Sequence, residues 1–281
     1  MSCGTLYICA TPIGNREDIS ARAVRVLQEA DLIAAEDTRH SKGLLDYYGI
    51  SKPLVSYHEH NKYERAEELV GRLLQGENIA LISDAGTPVI SDPGEVLVIM
   101  AREAGIPVTS LPGPCALITA LTLSGISARR FVFEGFLPME SKDRKAVLDS
   151  LREEERTIVL YEAPHRLRRT LQELKECLGG ARPACLCREL TKIHEEALPL
   201  TLEEAEALYQ EKEPRGEYVL VIAGKSRRDK EEEMRNTWES CSPEEHLQAY
   251  MNKGMTKKEA IKAMAEDFAI SRNTLYALLM K

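Results

Sequence analysis

Long apolar runs are missing from this chain: no stretch approaches the length needed to cross a bilayer. The opening MSCGTLYICATPIG lacks the basic start of a secretory signal, so a cytoplasmic location is expected. Paired cysteines of the CxxC kind are missing as well. The seven cysteines (Cys3, Cys9, Cys115, Cys177, Cys185, Cys187 and Cys241) are odd in number and mostly sit in apolar stretches, which indicates reduced, buried thiols in place of disulfides or zinc. His58-Glu59-His60 resembles a metal-ligand cluster, but no second cluster completes a shell. A polar loop or active-site rim is expected there, and no metal.

The most informative absence is of positive charge. Lys and Arg are absent from Leu73 through Ala101 and again from Glu103 through Ala128, the segments that hold the glycine turns SDAGTPVISDPG and LPGPCALITALTLSG. Phosphate cradles combine glycines with a helix N-terminus and commonly a lysine, and neither turn matches GxGxxG or GxxxxGK[ST]. With Asp84, Asp92 and Glu95 close by, a nucleotide polyphosphate would meet carboxylates and nothing to neutralise them, so ATP and NAD are disfavoured. S-adenosylmethionine fits better. It has an adenosine but no phosphate, and its sulfonium cation suits acidic surroundings. A third turn, Ala10-Thr11-Pro12-Ile13-Gly14-Asn15, closes the first apolar run and is a candidate further wall.

What is present is ordinary globular material, 43% hydrophobic and 29% charged over 281 residues, enough for two domains and a short appendage. The first half alternates strand-like runs (Leu6 to Ala10, Leu32 to Ala35, Ile79 to Ser83, Pro107 to Leu111) with helical patterns. One helix is expected to be capped by Asp18 and to present Ile19, Ala23, Val26, Leu27 and Ala30; others cover Tyr63 to Leu74 and Glu95 to Glu103. That order predicts a mainly parallel sheet with ligands at its carboxyl ends, where both basic-free turns fall. Four further strand runs, beginning at Phe131, Thr157, Ala184 and Tyr218, predict a second α/β unit. The expected division is 1–125, 126–224, a charged linker at 225–242, and a helix-turn-helix-like appendage at 243–281.

Net charge is −8, yet residues 251 to 281 hold Lys253, Lys257, Lys258, Lys262, Arg272 and Lys281 against Glu259, Glu266 and Asp267. Thr256 and Glu259 form a capping-box pattern there, and Ser271 starts a second short helix. A basic helical end on an acidic body suits a nucleic-acid contact through Lys257 and Lys258, and equally a hairpin that only docks on the body.

The segments LYICATPIGNREDIS, DLIAAEDTRHS, SYHEHN, SDAGTPVISDPG, LPGPCALITAL, FEGFLP, YEAPHRL and CRELTKIHEE, in this order, resemble the tetrapyrrole methylase superfamily over about residues 4 to 224. Within it they resemble the branch that methylates the ribose 2′-hydroxyl of a cytidine in the 16S RNA of the small ribosomal subunit. The resemblance implies a homodimer of two α/β domains with S-adenosylmethionine in the cleft between them, plus a small helical C-terminal appendage. It aligns Pro12, Ile13, Asp84, Ala85, Gly86, Thr87, Ile90, Cys115, Ala116 and Glu162 with cofactor positions. Gly-Thr-Pro stands where many tetrapyrrole-binding relatives have Gly-Asp-Pro, which leaves the contact at Thr87 open.

A 2′-hydroxyl is a poor nucleophile until its proton is drawn off, so a base and a positioning surface are required. Polar candidates cluster at Glu36 to His40, at Glu162 with His165 and Arg166, and at Arg188-Glu189 with Lys192. Asp37 or Glu189 is expected as base or its orienter, with Lys192 beside it, while Arg39, His165, Arg166 and Arg188 hold RNA; a structural ion pair is the competing reading for each. Two alternatives stay open, a methylase acting on a tetrapyrrole macrocycle and a ligand-sensing nucleic-acid-binding protein.

Overall fold

A computed structural model describes residues 3–268 and 270–279, with the backbone alone at 227, 228, 232 and 233. Five short strands form the first sheet: β1 (Leu6–Cys9), β2 (Leu32–Ala35), β3 (Leu54–Ser56), β4 (Ile79–Ile82) and β5 (Val108–Leu111). They lie in the order β3-β2-β4-β1-β5, every pair parallel. β2 and β4 are wholly buried because successive side chains feed two cores. Leu32, Ala34, Ile79 and Leu81 pack with α3 (Lys62–Leu74) and α4 (Glu95–Glu103). Ile33, Ala35, Ala80 and Ile82 pack with α1 (Ala21–Glu29) and α2 (Thr38–Tyr47).

β1 and β4 are neighbours, and their outgoing connections leave in opposite directions, to β2 and to β5. That divergence opens a crevice beyond their carboxyl ends. Because all five strands run the same way, the turns after β1, β2, β4 and β5 gather on one edge.

The second sheet has order β6-β7-β10-β8-β9, built from β6 (Phe131–Phe136), β7 (Thr157–Glu162), β8 (Pro183–Arg188), β9 (Glu196–Thr201) and β10 (Tyr218–Ile222). β6 and β7 are parallel and the other pairs antiparallel. One face packs on α6 (Ser141–Leu151), α7 (Pro164–Leu178) and α8 (Leu202–Glu211). The other receives Leu117, Ala120 and Leu121 of α5 (Ala116–Leu123), which meet Val159, Cys185, Cys187, Val219 and Val221. α5 follows the first sheet in sequence and packs on the second. The halves expected as 1–125 and 126–224 accordingly form one compact unit, Met1–Ala223.

Gly224–Lys281 forms a second unit. The charged stretch expected as a linker carries α9 (Arg227–Glu239), started by a Ser226–Asp229 capping box. α10 (Pro243–Asn252), α11 (Lys257–Asp267) and α12 (Arg272–Leu279) follow. Ile261, Met264 and Leu275 are buried against Trp238, Leu247, Tyr250 and Phe268, so the expected pair of helices is part of a larger bundle. The Trp238 ring stacks on His246 with centroids 5.1 Å apart. Lys281, counted in the basic end, lies outside the described residues.

Other differences are local. Asp18 does not cap α1: it sits in a short 3-10 turn, and the Ser20 side chain accepts the Ala23 N–H. The helix therefore starts later than its apolar spacing suggests. α2, α5, β3 and β9 were not expected. α5 is apolar around most of its surface and follows a Gly-Pro turn, while β9 is a partly buried edge strand holding Pro199.

Candidate active site

Three turns close on one another at the carboxyl edge of the first sheet. After β1, the Thr11 N–H donates to the Gly86 carbonyl at 2.8 Å and the Gly86 N–H returns a bond to the Thr11 carbonyl at 3.0 Å. After β4, the Thr87 hydroxyl donates to the Pro114 carbonyl at 3.0 Å in the turn that follows β5. Thr87 thus spends its hydroxyl on joining two turns. Gly86 has φ of 84°, and a Cβ there would stand 3.3 Å from the Ile13 side chain, so this close approach requires glycine. Val89 and Ser91, with φ of 78° and 63°, sit in the left-handed region without being glycine. Strain of this kind persists only where the surroundings enforce it.

A cavity of about 300 Å³ opens against these turns. From the first half Ile13, Asp84, Ala85, Gly86, Thr87, Ile90, Cys115 and Ala116 line it; the second half adds Phe136, Tyr161, Glu189, Leu190, Lys192 and the Glu217 to Val219 segment. Tyr161 ties the halves together. Its hydroxyl accepts the Leu117 N–H at 3.0 Å, and its ring meets Phe133 and Phe136 edge-on at 4.9 and 5.7 Å. Burial raises the Tyr161 pKa, which keeps that hydroxyl neutral.

The cavity is acidic. Glu36, Asp84, Asp92, Glu189 and Glu217 line it against a single lysine, Lys192. Lys192 Nζ is 3.0 Å from Glu189 Oε1, whereas the other four carboxylates have no ion-pair partner among the described residues. Burial, then the charge of Glu36, pushes the Asp92 carboxyl up from its ordinary 3.8 to about 7, against a Ser83 hydrogen bond that favours the anion. Burial and then Asp84 raise Glu36 in the same direction. Carboxylates held this close favour a cation. A sulfonium with an ammonium fits that donor set, and the glycine-lined edge admits an adenosine at backbone distance.

The expected residues separate into groups. Ile13, Asp84, Ala85, Gly86, Thr87, Ile90, Cys115, Ala116, Glu189 and Lys192 all line the cavity. Pro12 lies between Thr11 and Ile13 without lining it. Glu162 does not reach the cavity. Its carboxylate is fully buried, accepts hydrogen bonds from the Thr170 hydroxyl and the Ala163 N–H, and faces Arg166 at 3.5 Å. Arg166 also donates to the Leu137 carbonyl, which makes it a brace for the strand-to-helix turn after β6. Asp37 turns away from the cavity as the N-cap of α2: its carboxylate accepts the Arg39 N–H at 2.8 Å and pairs with the Arg39 guanidinium, whose hydrogen bonds hold it down to about 2. Its own N–H donates to Asp84 Oδ1 at 3.1 Å. Arg188 is engaged with Glu196. His165 is exposed at the start of α7, and Lys257 and Lys258 are exposed at the start of α11.

Phe136, Tyr161, Glu217 and Tyr218 line the cavity without having been singled out, and Glu36 and Asp92, named as acidic neighbours but not assigned to the cofactor, line it too. Glu36 and Asp92 were legible, one beside Asp37 at a strand end and the other in the same basic-free turn. Glu217 and Tyr218 follow a plain Arg-Gly pair and offer no sequence signal. Among the described residues no cluster of three or more His, Cys, Asp or Glu side chains is gathered to hold a metal ion, and no helix is long and apolar enough to cross a membrane.

Residues 5–206 match the family model described as Tetrapyrrole (Corrin/Porphyrin) Methylases. The chain is 48% identical to the Ribosomal RNA small subunit methyltransferase I of Synechocystis sp., covering 99% of this chain and 98% of that protein. The proteins of the same name from Bacillus subtilis and Escherichia coli O157:H7 are each 45% identical, covering 97% and 98% of this chain and 93% and 94% of theirs. Among solved structures, diphthine synthase superposes with a TM-score of 0.64 at 16% identity, covering 79% of this chain and 91% of that one. A uroporphyrin-III C-methyltransferase from Thermus thermophilus complexed with S-adenyl homocysteine gives a TM-score of 0.56 at 20% identity, covering 78% and 97%. At such identities the superpositions speak for the fold alone.

Proposed function

Because the chain belongs to the tetrapyrrole (corrin/porphyrin) methylases, we propose that it methylates small-subunit ribosomal RNA from S-adenosylmethionine, at the ribose 2′-hydroxyl of a cytidine in 16S RNA. The observation that carries the cofactor reading is the cavity with five carboxylates and one lysine. The near full-length similarity to curated small-subunit RNA methyltransferases carries the substrate reading. A homodimer working in the cytoplasm belongs to the same proposal; exposed apolar side chains at Ile118 and Leu123 of α5 and at Phe131 offer material for a subunit face.

The cofactor, when bound, supplies a methyl group on a sulfonium cation. Asp84, Asp92 and Glu36 would balance its positive charge, Gly86 and Ala85 would let it approach the backbone, and Ile13, Ile90, Cys115 and Ala116 would cover its apolar parts. Glu189 takes the proton of the attacking hydroxyl, and its ion pair with Lys192 at 3.0 Å fixes where that carboxylate stands. Asp37 acts through its N–H, which orients Asp84. Glu162 holds Arg166 and the turn after β6, next to Phe136 of the cavity wall. Arg39, His165, Lys257 and Lys258, all exposed, and Arg188 contact RNA, whereas Arg166, expected beside them, is occupied by Glu162 and the Leu137 carbonyl.

Tritiated S-adenosylmethionine offered with purified small ribosomal subunits, free ribosomal RNA and a porphyrinogen tests the reading. Label is expected in RNA and, after digestion, in 2′-O-methylcytidine. Label found only on the macrocycle, or on a base, overturns it.

A further inference from the structure

A second cavity, of about 540 Å³, shares Glu189 and Tyr218 with the first but has the opposite electrostatic character. Arg188, His194, Lys212 and Arg215 line it, with Glu213 and Gly216. Its carboxylates are already engaged: Glu213 pairs with Arg168 at 3.2 Å and Glu189 with Lys192. Arg188 and Lys212 share one acid, Glu196, the lysine at 3.6 Å. Arg215 is exposed and has no ion-pair partner among the described residues. The cavity therefore carries surplus positive charge on two guanidinium groups and an ammonium, donors suited to phosphate oxygens.

The wall between the cavities is itself specialised. Glu189 has φ of 50° and Thr191 φ of 65°, neither being glycine. Gly216 at φ of 73° makes room for the Glu189 carboxylate, since a Cβ there would stand 2.4 Å from Oε1. The two cavities thus meet at one carboxylate, with cation-favouring walls on one side and anion-favouring walls on the other.

We propose that this second cavity is the seat of a phosphodiester of the RNA substrate, the 3′-phosphate of the target nucleotide, held by Lys212, Arg215 and Arg188. The inference rests on the reading of the chain as a ribose methyltransferase. The 2′-hydroxyl and the 3′-phosphate sit on adjacent carbons of one ribose. A phosphate seated against Arg215 and Lys212 therefore leaves the hydroxyl at the shared wall, facing Glu189. Backbone contacts of this kind set register without reading sequence, so the cavity positions the ribose while specificity is set elsewhere.

The test is a Lys212→Ala/Arg215→Ala double variant of the full chain, beside Arg102→Ala as a control at another exposed arginine. Methyl transfer to purified small ribosomal subunits is followed as a function of RNA concentration and salt, with S-adenosylmethionine affinity measured separately by calorimetry. The loss is expected in KM for the subunits, roughly tenfold, with the salt slope shallower by about 1.4 for two lost phosphate contacts. Between 50 and 200 mM salt the wild-type advantage then shrinks by about sevenfold. The charge-keeping double variant Lys212→Arg/Arg215→Lys is expected to retain most of the wild-type KM and slope, and the control to leave the slope unchanged. A wild type that methylates RNA beside a double variant with the same KM and slope overturns the proposal, as does an equal loss of cofactor affinity. A wild type that transfers no methyl to RNA overturns the premise, and the proposal with it.

Discussion

Replacing Asp92 by Asn is expected to stabilise the protein and weaken cofactor binding. Burial and the neighbouring carboxylates push Asp92 up to about 7 from an ordinary 3.8, so the fold favours its neutral form. Between about pH 4 and 7 the folded chain holds a proton that the unfolded chain has released, and stability falls as pH rises through that window, levelling above it. The full move corresponds to a ceiling of about 4 kcal/mol. Asp92 is only half-buried, and solvent screening reduces the usable part to about 1–2 kcal/mol. Denaturant unfolding of wild type and Asp92→Asn, without cofactor, should show the variant's advantage widening by somewhat over half of that amount from pH 5 to pH 8. Calorimetry at pH 8 should show weaker S-adenosylmethionine binding by the same variant, since one negative charge facing the cation is gone. An advantage independent of pH, or a variant less stable than wild type at pH 8, would refute the electrostatic account of this cavity.

Gly86→Ala forces a side chain into left-handed backbone against Ile13, at a cost of about 1–2 kcal/mol in unfolding experiments, and cofactor affinity should drop with it. Glu189→Gln should slow single-turnover methylation at saturating RNA by about 10²-fold or more. Asp37→Asn should keep most of the rate, because asparagine also caps helices and the Asp84 contact uses the backbone. If alanine at both acids leaves that rate unchanged, neither is the base. Deleting residues 242–281 should raise the RNA Michaelis constant more than the cofactor dissociation constant; an unchanged RNA constant would count against the tail as an RNA contact.

Legibility in the sequence followed how local each cause was. The buried parallel strands announced themselves as continuous apolar runs, and the basic-free turns spoke against a polyphosphate from residue type alone. α5 was hidden because its apolar residues serve a sheet formed much later in the chain, so its periodicity is nearly all-round. α9 was hidden by its charge, which permits a solvated helix as readily as a linker. Glu162 and Arg166 were legible as polar residues after a strand. Their engagement with Thr170 and the Leu137 carbonyl depends on helix packing that spacing does not encode.

The turn SDAGTPVISDPG illustrates the division. Its glycines, its acids and its lack of lysine, all properties of residue type, spoke against a phosphate cradle and made a cationic, phosphate-free ligand the better match at that strand end. Only the tertiary structure decided what each side chain does there: Thr87 fastens two turns, and Asp84 braces the end of β2 through Asp37 while lining the cavity. Asp92 faces Glu36 and Glu217 across the cleft. Those acids come from elements far apart in the chain, and their mutual repulsion, like the meeting of an acidic and a basic cavity at Glu189, exists only once the two halves have folded together.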